Sequence, residues 1–247
     1  MRFASLVSRL GKLSQVFRST RLLKALIFQR VLAGAEHHRI LTIELATVVD
    51  VGANRGQFAL AVSRWAPKAR VIAFEPLAEA ADCFRRVFQG DSGMILHQAA
   101  IGSEAGEAII HVAAADDSSS LLPISTKQER LFPGTSEIRT EIVKKGRLSD
   151  FVASEEIVSP AMLKLDVQGY ELEALRGCEE LLKWFSYVYA ECSFMELYTG
   201  QVLVDDIIAW LRKRGWCLSG VYNITNDCNG KSVQADFLFE NSSSAKH

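Results

Sequence analysis

The 247-residue sequence has no C-x-x-C pair, no long apolar run and no surplus of charge of either sign. Its five cysteines (Cys83, Cys178, Cys192, Cys217 and Cys228) are scattered and odd in number. That spacing argues for reduced thiols in a cytosol, and against a disulfide scaffold or a zinc site. No apolar stretch approaches the ~20 residues needed to cross a bilayer, and no apolar core with a small-residue cleavage site marks a signal peptide. A formal net charge of -1 gives no global field to attract nucleic acid. No internal repeat is visible either. What is present is 49% hydrophobic content, ample for one core. The expectation is a soluble, cytoplasmic domain with a small-molecule partner.

The chain divides into three parts. Residues 1–45 form a basic segment, with Arg2, Arg9, Lys12, Arg18, Arg21, Lys24, Arg30 and Arg39 against few acids. Leu6, Leu10, Leu13, Phe17, Leu22, Leu26 and Phe28 recur there at roughly helical spacing. Three readings follow: a pair of amphipathic helices that cap the main domain, a peripheral contact with the inner face of an anionic membrane, or a mitochondrial transit peptide, since the segment contains Arg and Ser and is poor in acids. Residues 46–240 form the main domain, with an insertion at about 103–147, and 241–247 form a disordered tail.

Within the main domain, strand and helix alternate. Val48–Val51, Ala69–Phe74, Met94–His97, Ala161–Leu165 and Tyr187–Cys192 read as strands. Gln57–Trp65, Ala78–Phe88, Tyr170–Leu182 and Val202–Arg214 read as helices. Such alternation implies right-handed crossovers and a doubly wound, mostly parallel sheet. The rhythm breaks between Glu107 and Val143, an inserted β/loop segment. Trp216–Tyr222 and Val233–Glu240 form a C-terminal antiparallel hairpin around Asn229-Gly230.

The segment with the most chemical content is Thr47-Val-Val-Asp-Val-Gly-Ala-Asn-Arg-Gly-Gln-Phe58: a strand, a glycine turn and a helix start. Three strands of the parallel set end in an acid, Asp50, Glu75 and Asp166, at the edge where such sheets bind ligands. Glu75 at the second strand's end is placed to accept both hydroxyls of a ribose. A dinucleotide turn wants G-x-G-x-x-G so that a pyrophosphate can lie on the backbone. Here Asn54 stands at the middle glycine and Gln57 at the last position. With Asp50 ahead, the turn suits an amino group and a sulfonium, and so S-adenosyl-L-methionine. A Rossmann-type nicotinamide-dependent oxidoreductase and a non-catalytic methyltransferase-like binding module are the alternatives.

The ordered set Val49–Gln57, Ala73-Phe-Glu-Pro76, Ala99-Ala-Ile-Gly102, Asp117-Ser-Ser-Ser-Leu121, Leu163–Leu172 and Glu191–Tyr198 resembles FkbM-type class I S-adenosylmethionine-dependent methyltransferases. The resemblance implies a Rossmann-like α/β fold. It places Asp50, Gly52, Asn54 and Gly56 around the methionine part of the cofactor, Glu75 on the ribose, and Ala100 and Ile101 beside the adenine, with Asp166 close by. It also implies methylation of a hydroxyl, on a sugar, glycolipid or related product. The family often carries Glu where this chain has Gln168.

Loss of the acceptor proton calls for a base or a metal. Asp166 is the first candidate base, with His37 behind it, and Glu191 is a candidate for orienting the acceptor. Asp117, Ser119 and Gln168 are candidates for holding a polyol acceptor. A divalent metal at Asp166 and Glu191 stays open, although two acids alone are a thin ligand set.

Overall fold

A computed structural model of the chain describes residues 20–242. In chain order its elements are α1 (Thr20–Lys24), β1 (Thr47–Val51), α2 (Gln57–Trp65), β2 (Arg70–Phe74), α3 (Ala78–Val87), β3 (Met94–His97), β4 (Ala100–Ile101), β5 (Gly106–Ala113), α4 (Thr126–Leu131), β6 (Glu137–Gly146), β7 (Ala161–Leu165), α5 (Glu171–Gly177), β8 (Tyr187–Ser193), α6 (Val204–Arg212), β9 (Trp216–Asn226) and β10 (Ser232–Asn241). The main sheet runs in the order β3-β2-β1-β7-β8-β10-β9. Its first five strands are parallel and the last two form an antiparallel hairpin. From β1 the chain winds outward to β2, and later returns to place β7 on β1's other side. A crevice therefore opens at the carboxyl ends of β1 and β7, where winding reverses.

Side chains of a strand alternate between faces, and each face is packed. Val49, Val51, Leu163 and Leu165 meet Leu172, Leu175, Ile207 and Leu211 of α5 and α6. Val48, Met162, Tyr189 and Leu238 meet Phe58–Val62 of α2 and Phe84 of α3. Leu22, Ala25, Val31, Ile40, Leu41 and Leu45 join this second cluster, so the N-terminal segment roofs one face of the sheet.

On that roofed face lies a polar row. Parallel register sets Asp50 opposite Lys164, and Lys164 opposite Tyr189. Two residues further along the strands, on the same face, come Asp166 and Glu191, with Asp236 of β10 opposite Glu191. Burial of this many polar groups is tolerated only where they satisfy one another or a ligand.

The expected elements recur with four differences. The helix expected over Tyr170–Leu182 stops at Gly177 and continues as a 3₁₀ turn, Glu179–Trp184. Gly177 presses on the backbone of Gly102, where any Cβ would collide, so the packing holds the chain off a regular path. The insertion forms a second sheet, β4-β6-β5, with α4 started by the Ser125 hydroxyl accepting from Gln128 N–H. Among the described residues the roof holds one short helix, a π turn at Ala25–Gln29 and two 3₁₀ turns rather than a continuous amphipathic helix; the part of the expectation covering residues 1–19 lies outside the described residues. The hairpin is longer than expected, and β10 runs on to Asn241, whose amide donates to the Phe185 carbonyl. Asn241 is thus strand and not tail, and residues 243–247 lie outside the described residues.

Candidate active site

The cavity in the crevice is walled by the β1–α2 turn, the ends of β2 and β7, β4, the insertion loop and the roof. Gly52 has φ +82, and a Cβ there would run into the Asp166 carbonyl, so only glycine lets the turn close against β7. Asn54 also takes a left-handed conformation, φ 48, which asparagine tolerates better than most residues. Its N–H donates to Glu75 Oε2 at 2.9 Å, while Leu77 N–H donates to Glu75 Oε1 at 2.8 Å. Burial pushes the Glu75 carboxyl up to about 7 despite these two backbone donors.

Asp50 is fully buried and is not part of the cavity wall. It sits beneath Lys164, whose Nζ lies 3.0 Å from Asp50 Oδ1, 3.5 Å from Asp166 Oδ2 and 3.3 Å from the Gly52 carbonyl it donates to. Burial alone lowers the Lys164 ammonium, but Asp50 and Asp166 more than offset this and hold it above its ordinary value. The strand pair therefore turns Lys164 rather than Asp50 to the cavity, with Asp166 beside it. Gly56 does not line the cavity either; with φ +94 it packs on Phe84 and Phe88, leaving no room for a Cβ.

The remaining expected residues divide in the same plain way. Gly52, Asn54, Glu75, Ala100, Ile101, Asp166, His37, Asp117, Ser119 and Gln168 all line one cavity. Glu191 does not: it lies behind Gln168, receiving Gln168 Nε2 at 3.1 Å and Gln234 Nε2 at 2.7 Å. Burial first, then Asp166 and Asp236, push its carboxyl well above the usual range. Gln168 is engaged at both ends, its amide also donating to Asp166 Oδ1 at 2.7 Å while its carbonyl accepts from Tyr198 at 2.7 Å. Ser119 Oγ accepts from Ala113 N–H, and the neighbouring Ser120 ties the insertion loop to the Gln168 carbonyl at 2.7 Å. Among the described residues no group of three or more His, Cys, Asp or Glu side chains is arranged to hold a metal ion.

Two buried side-chain atoms at this face carry no hydrogen-bond donor in the protein, Oδ1 of Asn54 and Oε1 of Gln57. Both are acceptors. Asn54 and Gln57 line the cavity, so the turn asks for a ligand that brings hydrogen-bond donors or positive charge. An ammonium group fits that demand and a pyrophosphate does not. Phe74, Ala100, Ile101 and Ile110 add an apolar wall to the same cavity as Glu75.

Sequence reasoning overlooked Lys164, Tyr189 and Asp236. A signal existed for the first: Lys164 is the lone charge in the buried strand Ala-Met-Leu-Lys-Leu, at the position that pairs with Asp50.

The profile of the family described as methyltransferase FkbM domain matches residues 50–216. The chain belongs to that family. This FkbM-domain protein is 29% identical over 167 residues to 2-O-methyltransferase NoeI of Sinorhizobium fredii, covering 65% of this chain and 69% of that protein. It is 27% identical over 150 residues to methyltransferase 1 of Beauveria bassiana, and 29% over 160 residues to methyltransferase sdnD of Sordaria araneosa. Each of those two matches covers 54% of this chain, which spans 58% and 60% of the respective relatives. Among solved structures, an rRNA methylase from Streptococcus thermophilus overlaps with a TM-score of 0.46 at 14% identity, over 83% of this chain and 93% of that one. An overlap that distant assigns no acceptor to the FkbM-domain protein.

Proposed function

We propose that the protein transfers a methyl group from S-adenosyl-L-methionine to a hydroxyl of a sugar, glycolipid or related hydroxylated product. The observation that carries the reading is the set of unpaired acceptors at Asn54 and Gln57 beside Glu75, a surface that wants an ammonium and a ribose. When bound, that cofactor supplies a methyl group activated by a sulfonium. Asn54 and Gln57 accept from its amino group, and Glu75 accepts from the ribose. Phe74, Ala100 and Ile101 hold the base. Asp50 and Lys164 form a rigid charged floor below the turn. The acceptor enters over Asp117 and Ser119, with its hydroxyl aligned for in-line attack. Alignment of that kind supplies roughly 7–11 kcal/mol of the barrier reduction. The similarity to a protein named as a 2-O-methyltransferase supports oxygen as the acceptor atom. We take residues 46–240 as the catalytic domain, with residues 1–45 as its cap.

Calorimetric titration with S-adenosyl-L-methionine and with NAD tests the reading. We expect S-adenosyl-L-methionine to bind in the micromolar range, about -8 kcal/mol, and NAD not to bind. Binding of NAD alone would overturn it.

The roof adds a second proposal, a peripheral contact with an anionic membrane at the cytoplasmic side. Ile27 and Phe28 are 62% and 72% exposed, and Lys24 and Arg30 beside them are exposed as well. Exposed apolar side chains flanked by Lys24 and Arg30 suit an interface of anionic lipid headgroups. Among the described residues no helix is long and apolar enough to cross a membrane. The full chain is expected to sediment with phosphatidylserine-containing vesicles at low salt, and Phe28→Glu to reduce this several-fold. Equal sedimentation of the variant would rule the contact out.

A further inference from the structure

We propose that His37 is the general base of this methyl transfer, and that Tyr189 and Asp236 act as a relay fixing which of its ring nitrogens carries the proton. The assignment rests on the hydroxyl-methylation reading above.

The roof's 3₁₀ turn Ala35–His37 drops the imidazole onto the polar row, where it lines the cavity. His37 Nδ1 lies 3.0 Å from the Tyr189 hydroxyl, and that hydroxyl lies 2.7 Å from Asp236 Oδ2. The same carboxylate oxygen receives Asn223 Nδ2 at 2.6 Å. The direction of the chain follows from proton counting. A phenol has one proton, and a carboxylate only accepts, so the proton of Tyr189 goes to Asp236. The phenol oxygen can then only accept from His37, which places the imidazole proton on Nδ1. Nε2 is left with a free lone pair and makes no hydrogen bond among the described residues. Phe58 at 5.0 Å and Tyr189 at 5.6 Å both meet the ring edge-on and hold its plane.

The charge around the ring suits a base. Burial lowers the imidazole below its ordinary value, keeping it neutral near pH 7, against an upward push from Asp236, Glu36 and Asp166 and with a downward one from Lys164. Burial and the neighbouring Asp236 hold the Tyr189 phenol well above its usual range, so it stays protonated. Asp166 is the poorer candidate. Gln168 donates to one of its oxygens at 2.7 Å, and Lys164 faces the other at 3.5 Å. Both of its oxygens are thus engaged by neighbours.

In the step, the acceptor oxygen forms a bond to the methyl carbon as the carbon–sulfur bond breaks and its electron pair stays on sulfur. The hydroxyl proton passes to His37 Nε2. The imidazolium that results is stabilised by Asp236, 3.7 Å from Nδ1. His37 is thus catalytic, while Tyr189 and Asp236 are positioning residues.

The test uses the full chain with ¹⁵N-labelled histidine. Long-range ¹H–¹⁵N spectra at pH 7.5, with His37 assigned by its loss in His37→Gln, should show the Nδ1–H tautomer. Tyr189→Phe should convert it to a mixture. An Nε2–H tautomer in the wild type, or an unchanged ratio in Tyr189→Phe, would overturn the relay. With S-adenosyl-L-methionine and a panel of methyl glycosides, His37→Gln should lose about 100-fold or more in kcat with cofactor affinity unchanged. Asp236→Asn should lose less, and should shift the acid limb of the pH profile. Wild-type turnover by His37→Gln sinks the base alone. Failure of the wild type to bind the cofactor, or to methylate any glycoside, sinks the reaction it serves.

Discussion

Lys164→Met is expected to cost the protein about 3–5 kcal/mol at pH 8, the typical penalty for removing one partner of a buried ion pair. Asp50 is wholly enclosed, and Lys164 is the cation within reach of it. Without the ammonium, the carboxylate keeps the full cost of desolvation and can relieve it only by taking up a proton. Burial already raises the Asp50 carboxyl, with Lys164 opposing that rise. Removing the lysine therefore raises it further. A group whose folded pKa stands above its unfolded value contributes stability that is present at low pH and lost as pH rises through the folded value. The deficit of Lys164→Met should accordingly shrink between pH 8 and pH 5. The double variant Asp50→Asn/Lys164→Met should recover most of the loss, since it removes both charges at once. Urea unfolding at the two pH values measures all three; a deficit under about 1 kcal/mol at pH 8 would mean that the pair is not coupled as the distances imply.

The second large effect concerns Glu75. Its carboxyl is held near 7, against an ordinary value of 4.5. In the free protein this group should lend stability below pH 4.5 that disappears as pH rises through about 7, a change of about 3 kcal/mol. A ribose donating both hydroxyls to the carboxylate favours the ionised form and lowers that pKa. S-adenosyl-L-methionine should therefore bind more tightly at pH 8 than at pH 6, and release protons on binding at pH 6. Calorimetry in buffers of different ionisation enthalpy reads this directly. Glu75→Gln should lose the proton release and about 10–100-fold in affinity, some 1.4–2.8 kcal/mol, because one backbone N–H of the turn then faces an amide N–H. Proton uptake by the wild type at pH 6 would contradict the assignment.

These two sites differ in how far the sequence could reveal them. Glu75 was legible because an acid closing the second strand of a parallel sheet has few structural duties. The β1–α2 turn was legible in outline, since Gly52 and Asn54 need left-handed conformations. Gly56 misled, because a glycine chosen for contact with two phenylalanines spells the same as one chosen for a ligand. Lys164 was readable only with the register known, and then at once, as the cross-strand partner of Asp50. The link between His37 and Tyr189 spans 152 positions, and no local pattern encodes such a distance. Gln168, expected to hold the acceptor, lines the cavity but is tied to Asp166, Glu191 and Tyr198. Helix α4, six residues long, is too short for a periodicity to emerge.

The polar row also bears on where such a protein can be cut. Residues 50–216, the span matched by the family, hold Glu75, Lys164 and Tyr189. They omit His37 on one side, and Asn223 and Asp236 on the other. A fragment trimmed to those bounds keeps the donor's seat and strands the Tyr189 phenol, which loses its acceptor and its neighbour together. The relay proposed for the acceptor's proton thus joins Tyr189, inside the span by which the family is recognised, to His37 and Asp236 on either side of it.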